Sequence, residues 1–476
     1  MRTPSKQTRH LLSRFSWGVT PRLVTEAGAA GGPQAWFEGQ LKPLRIADTS
    51  AATMRGWFST LSQSPQSLWG KVQADQLEVS TVGLDLARWT ILQRTYSRRQ
   101  LREVMAAFWS DFLHIPINDA GSWPHRIRYD SMIRAHALGR FDQLLTASVL
   151  HPAMGGYLDN ARSTRLKLNE NLGREVLELY TVGLDSGYTE AMVVDSARLL
   201  TGYRVDLFNT WRARYVPTDH ATGAVRVLGF SSANSAADGR SETVRYLRYL
   251  AHHPATADRL ARRLCVRFVS DDPPQAIVRA VARAYTNSAT SIPAALRAMV
   301  QHPEFGSAVS SKVRTPLEDV IATYRVLDVR AQRPRTPSDF ANAVVFMTNC
   351  MGQRPFEWPR PDGPPDAAEA YTSASRMLAS WTTHQSLAGG FTPTSGVVYR
   401  EPYSWLPPLP ATVGEIIDDV GRRVLARPSN TLIRRAAAAR MGLPLRTRVR
   451  TPADIAERRI SALLACLLDT PQHMTR

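Results

Sequence analysis

A chain of 476 residues, 43% of them apolar, can bury one large or two to three ordinary domains and is too apolar to be disordered. Its three cysteines, Cys265, Cys350 and Cys466, lie far apart with no ligand-spaced neighbours, which argues against a disulfide framework or a zinc knuckle. The net charge of +18 does not by itself mark a nucleic-acid binder: only Lys6, Lys42, Lys71, Lys167 and Lys312 are lysines, the arginines are spread along the chain, and carboxylate-paired, solvated arginine is the ordinary state.

The opening run is basic but lacks the apolar centre of a secretory signal and a twin-arginine pair, so the product is expected in the cytoplasm. No stretch approaches the ~18 apolar residues of a membrane span. From there on helical periodicity dominates. Residues 8–16 form a short amphipathic turn, and 20–30 start on Thr20-Pro21, a capping residue followed by a proline suited to the first turn. Residues 83–114 read as one or two long helices. In the second, Leu101, Val104, Met105, Phe108, Trp109 and Phe112 recur at three- and four-residue steps and mark a buried face. The same pattern predicts helices over 124–139, 140–151, 170–182, 189–201, 241–252, 254–268, 275–286, 292–302 and 315–327, then 412–426, 429–441 and 452–469.

Several of these helices end on one phrase: His151-Pro152, His253-Pro254, His302-Pro303 and Thr470-Pro471. Proline ends the helix, and a histidine before it is placed to interact with the last carbonyls. Strand signal is scarce. The best is 213–217 and 224–230 around residues 218–223, which predicts a β-hairpin with a long turn. Three Pro-rich stretches, 333–337, 354–366 and 402–410, carry aromatic anchors and read as ordered surface loops. The expected fold is mainly α: a large multi-helix array with one β-hairpin near 213–230. It divides into a main helical body over 1–330, Pro-rich loops and short helices over 331–411, and a C-terminal helical part over 412–476 packed on the body.

The densest polar cluster runs from Asp159, Asn160 and Arg162 to Asn169, Glu170, Asn171, Arg174, Glu175 and Glu178. Asn169 suits an N-cap and Gly183 a helix end. Leu172, Val176, Leu179 and Tyr180 share the stripe expected to be buried. Asn171, Arg174, Glu175 and Glu178 share a second one, with Arg174 spaced to pair with Glu170 and Glu178. Two readings fit: the acids favour the helix start and lace a wet face, or Glu175 and Glu178 turn inward with Asp159 and Asn160 as an acid/base or metal site. Tyr188 and His220 join the ligand-binding candidates. Trp109, Asp111 and His114, and His136, are weaker ones. No Ser-His-Asp signature, nucleophile elbow, phosphate loop, dinucleotide fingerprint or HExxH is present, and the sequence specifies no cofactor.

At these residues the sequence resembles a bacterial family, the domain of unknown function 1800 family. The matching phrases include His10-Leu11-Leu12-Ser13-Arg14, Phe108-Trp109, His136-Ala137-Leu138-Gly139, His151-Pro152-Ala153-Met154 and Asn169-Glu170-Asn171 with Arg174-Glu175. Later come His302-Pro303-Glu304-Phe305, Lys312-Val313-Arg314-Thr315-Pro316 and Trp358-Pro359 with Pro361-Asp362-Gly363. The resemblance implies a mainly helical fold and brings no established activity. By analogy it implies a partner from a second uncharacterised family, number 1501, which resembles sulfatases and phosphatases. Two departures stand out. The family's Phe-Trp-His-Asn-His-Phe is here Phe108-Trp109-Ser110-Asp111-Phe112-Leu113, and its His-Asp near a Gly-Pro-Lys phrase is here His220-Ala221. These mark a divergent member that has lost part of any site built on those groups. The expected role is binding of a partner or small ligand in a polar groove, the alternative a hydrolase using Glu175 or Glu178, with nucleic acid as a third and lesser reading.

Overall fold

The computed structural model describes residues 3–336 and 339–476, so residue 337 of the first Pro-rich stretch lies outside the described residues. Helices make up most of it, and the strands form four two-stranded antiparallel sheets. One contiguous hydrophobic core includes residues from Leu11 to Leu468. No helix among the described residues is long and apolar enough to cross a membrane.

The helices begin where capping chemistry places them. Thr20 accepts a hydrogen bond from the Leu23 N–H at 3.1 Å and Pro21 opens the Pro21–Ala29 helix. Thr189 caps Glu190–Leu199 in the same way. Thr315 and Glu318 form a reciprocal capping box at the start of Pro316–Val326. The 83–114 stretch is two helices, Val79–Tyr96 and Gln100–Phe112. They part because Asp48 takes the chain between them: it accepts from the Ser97 hydroxyl at 2.6 Å and the Arg98 N–H at 2.9 Å. Leu101, Val104, Met105, Phe108, Trp109 and Phe112 are all buried, as their spacing requires. Further helices, Phe340–Cys350 and Ala374–Gly389, stand between the Pro-rich loops.

The histidine–proline junctions differ from the sequence expectation. His151, His253 and His302 do not face the helix behind them. The Nδ1 atom of each caps the next helix, accepting from the N–H of Ala153, Ala255 and Glu304 at 3.2, 3.2 and 3.3 Å. Proline at the first helical position leaves the N–H of the following residue to be capped, and an imidazole lone pair reaches it. Capping requires a neutral ring. Burial lowers His253, and burial with His125 and Arg126 lowers His151 to about 3. His253→Ala is expected to lose about 0.5–2 kcal/mol at pH 8 in urea denaturation, with His253→Asn retaining most of it. Because the folded ring titrates below the unfolded one, this contribution is full above the unfolded value and fades as pH falls through the folded one.

The strand expectation is corrected in its pairing. Residues 213–217 and 224–230 do not pair with each other. Ala213–Tyr215 pairs with Tyr203–Val205, and Val225–Val227 with Phe230–Ser232. Leu228 and Gly229 both have positive φ (48° and 90°), the signature of a two-residue hairpin turn inside what reads as one strand.

The cysteines are free thiols: Cys265 buried, Cys466 half-buried and Cys350 exposed. Arg14, Arg94, Arg126, Arg134, Arg267, Arg314, Arg376 and Arg476 are buried, so the formal charge overstates the positive surface.

Candidate functional site

The polar cluster read from the sequence is only partly convergent. The Asn171–Glu178 helix buries Leu172, Val176, Leu177 and the following Tyr180, with Leu179 half-buried. Gly173 lies against the backbone of Ala197, so this helix and Glu190–Leu199 pack more closely than a side chain would allow. Asn169 accepts from the Asn171 N–H at 2.9 Å, just ahead of the first turn. Arg174 meets Glu170 at 3.6 Å, but its main partner is Glu190, held by both guanidinium nitrogens at 2.8 and 2.5 Å, rather than Glu178. Asp159 is exposed in the left-handed region, φ 59°. Asn160 is buried and donates to the Leu200 carbonyl at 2.9 Å. Arg162 is exposed, with its guanidinium 5.6 Å from the Phe208 ring. His220 sits elsewhere, buried between Thr201 and Asn234, which lies 3.0 Å from its Nε2.

Glu175 and Glu178 share a half-buried face, and the Tyr188 hydroxyl donates to Glu178 at 3.3 Å. Burial, Glu178 and Asp362 push the Glu175 carboxyl up to about 7 against the pull of Arg174. Burial, Asp119, Glu175 and Asp362 push Tyr157 up to about 12. Asp362 belongs to the Pro-rich 354–366 loop, which runs into the helical body. The Phe356 carbonyl accepts from the Ile117 N–H and the Trp358 carbonyl from His114 Nε2, both at 2.8 Å. Gly363, φ 69°, abuts the backbone of Asp111, and Asp366 pairs with Arg267 at 3.0 Å.

This loop walls a cavity of about 230 Å³ lined by Trp17, Arg94, Asp111, His114, Arg267 and Phe356, among others. Arg94 is buried. Its guanidinium carbon lies 4.7 Å from the Trp17 ring and 6.0 Å from the Phe356 ring. Its Nε atom and the Trp17 Nε1 atom have no hydrogen-bond partner. Burial lowers Arg94 to about 10, which keeps it charged at neutral pH. Burial lifts Asp111 to about 7, against Arg94 and Arg267 and with Asp366. Among the described residues neither side chain forms an ion pair. Arg267, by contrast, is held by Glu318 at 2.8 Å and by Asp366. His114 is lowered to about 4 by burial, so its ring is neutral. The positions flanking Asp111, where the family pattern carries histidine, are buried: Ser110 and the aromatic-packed Phe112.

Asp111 and His114 are weak candidates in the sequence, and Arg94 is not singled out there. No local spacing links residues 17, 94, 111, 267 and 356, since each comes from a different segment. The one sequence signal is that Trp358 of the Trp358-Pro359 phrase lines this cavity, as do Ala107 and Asp111 on either side of Phe108-Trp109.

No curated protein sequence and no solved structure matches the chain. The family model described as protein of unknown function (DUF1800) matches residues 10–475. From near its first residue to near its last, the chain therefore belongs to the DUF1800 family.

Proposed function

We propose that this protein binds a small polar ligand carrying an anionic group in the cavity between Arg94 and Asp111. The observation that carries this reading is Arg94: a buried, charged guanidinium, stacked on aromatic rings, without a carboxylate partner. A buried cation is ordinarily paired, because leaving water without a counter-charge is unfavourable. A ligand carboxylate or phosphate supplies that charge, and Asp111 meets a donor on the same molecule. The aromatic walls suit a compact, partly apolar body.

Thermal shift and calorimetry with phosphate, acetate, succinate and glutamate test the proposal. At least one should bind the wild type. Arg94→Met should weaken that binding about ten- to a hundredfold, the range for a charge-assisted hydrogen bond. Binding should also weaken as pH rises through 7, when Asp111 gains a charge beside the anion. No binding by any probe, or equal binding by the variant, removes the proposal.

A second reading rests on Glu175. A carboxyl near neutral pKa beside Glu178 suits proton transfer, as in the hydrolase alternative. It predicts a turnover that Glu175→Gln abolishes and Arg94→Met leaves measurable. A partner from family number 1501 rests on analogy and is tested by co-purification of the two proteins.

A further inference from the structure

We propose that Asp319, His384 and His473 form a buried binding site for a divalent metal ion, Zn²⁺ by its ligand chemistry. The three side chains come from the Pro316–Val326 and Ala374–Gly389 helices and the short Pro471–Met474 turn. All three are buried, and their ligand atoms lie within 4.8 Å of one another. The Nε2 atoms of His384 and His473 stand 3.2 and 3.6 Å from the same Asp319 oxygen, Oδ1. Zinc–ligand bonds of about 2.0–2.1 Å at tetrahedral angles place ligand atoms roughly 3.3 Å apart, so both separations fit edges of a zinc tetrahedron.

The surroundings are those of a metal site. Asp319 Oδ2 is already taken, by the Ser380 hydroxyl and by Arg376 at 3.3 Å, which leaves Oδ1 facing the two imidazoles. His384 Nδ1 donates to Asp469 at 2.8 Å. That bond fixes the tautomer in which the Nε2 lone pair is free, the carboxylate–histidine arrangement that orients metal-bound imidazoles. Thr323 Oγ1 hydrogen-bonds His473 Nε2 at 3.0 Å in the absence of metal, and metal binding at that nitrogen displaces this bond. Imidazole with carboxylate suits zinc among the common divalent ions.

The competing arrangement is metal-free, with His384 as an imidazolium bridging Asp319 and Asp469. It leaves His473 Nε2 to the Thr323 hydroxyl and sets two cations, Arg376 and the imidazolium, on Asp319. His473 also turns its Nε2 to the same oxygen that His384 faces, and a metal uses both imidazoles. Its place, buried at a junction of three segments, makes it a structural ion that ties the 471–474 turn to the core.

The test is metal analysis of the full-length protein by mass spectrometry, after loading with Zn²⁺ and dialysis. About one zinc per chain is expected, falling about tenfold or more in His384→Gln and in His473→Gln. A wild-type measurement guards against variants that fail to fold. Chelator-stripped protein should melt at lower temperature, recover on addition of Zn²⁺, and show the visible bands of tetrahedral Co²⁺ when loaded with that ion. Sub-stoichiometric zinc after loading, with a melting temperature unmoved by chelator and no cobalt bands, overturns the proposal in favour of the imidazolium bridge. Equal zinc in wild type and both folded variants overturns it in favour of another site.

Discussion

Replacing Gly363 with alanine is expected to destabilise the protein by roughly 2–5 kcal/mol. Two effects add. Gly363 has φ 69°, where an L side chain is strained, and a Cβ there would lie far inside contact with the Asp111 carbonyl. The obstacle is backbone, so no rotamer change relieves it: either the 354–366 loop lifts or the end of the Gln100–Phe112 helix shifts. Either change parts Asp111 from the loop that walls the cavity, so anion binding should fall with stability. Gly352→Ala is the control. That residue has φ 88° with no atom near its Cβ position, so it carries the conformational penalty alone, about 1–2 kcal/mol. Urea denaturation of both variants separates the terms. If Gly363→Ala is no worse than Gly352→Ala, the close approach of loop and helix has no energetic weight.

Glu318→Gln is expected to be comparably damaging at pH 7, by about 3–5 kcal/mol. Glu318 is buried and receives Arg267 at 2.8 Å and Arg476 at 3.0 Å, while its other oxygen accepts the Thr315 N–H at 3.0 Å. Glutamine keeps the shape and part of the capping bond but strands Arg476, whose side chain forms no ion pair with another carboxylate among the described residues. Burial alone would raise Glu318; Arg476 and Arg267 outweigh it and hold the carboxyl at about 2. Since the folded value lies below the unfolded one, the stabilisation is full above about 4.5 and is lost as pH falls toward 2. Unfolding free energies of wild type and variant should therefore converge between pH 5 and pH 2.5. A gap of constant size would mean that packing, not charge, sets the effect.

The helical body is legible in the sequence because each amphipathic segment states its own period and several state their own cap. Thr20 is an example, and the structure shows Thr189 and Thr315 capping their helices in the same way. What escapes is any feature with two equivalent local readings. A histidine between two helices satisfies the description of either end, and only the direction of Nδ1 shows that it serves the second. Residues 224–230 have strand composition throughout, so the turn at Leu228-Gly229 is hidden inside it. The polar cluster around Glu175 is visible because its members are neighbours in sequence, and the structure then separates them: Arg174 turns to Glu190, Asp159 faces solvent and His220 lies elsewhere. Arg94 and Asp111 show the reverse case. Their joint property, a cation and an acid sharing a cavity without meeting, is a tertiary fact that no spacing encodes. The same holds for His384 and His473, which converge on Asp319 from distant segments.

The loop that walls the cavity contains Pro355, Pro359, Pro361, Pro364 and Pro365. Each proline removes backbone freedom from the unfolded chain, so holding this segment against Ile117, His114 and Asp111 takes less conformational entropy than an ordinary loop would. The wall is rigid before any ligand arrives, and association need not be paid for by ordering it. Uptake into this cavity should then show small changes in heat capacity and rates set by entry through the mouth rather than by loop closure.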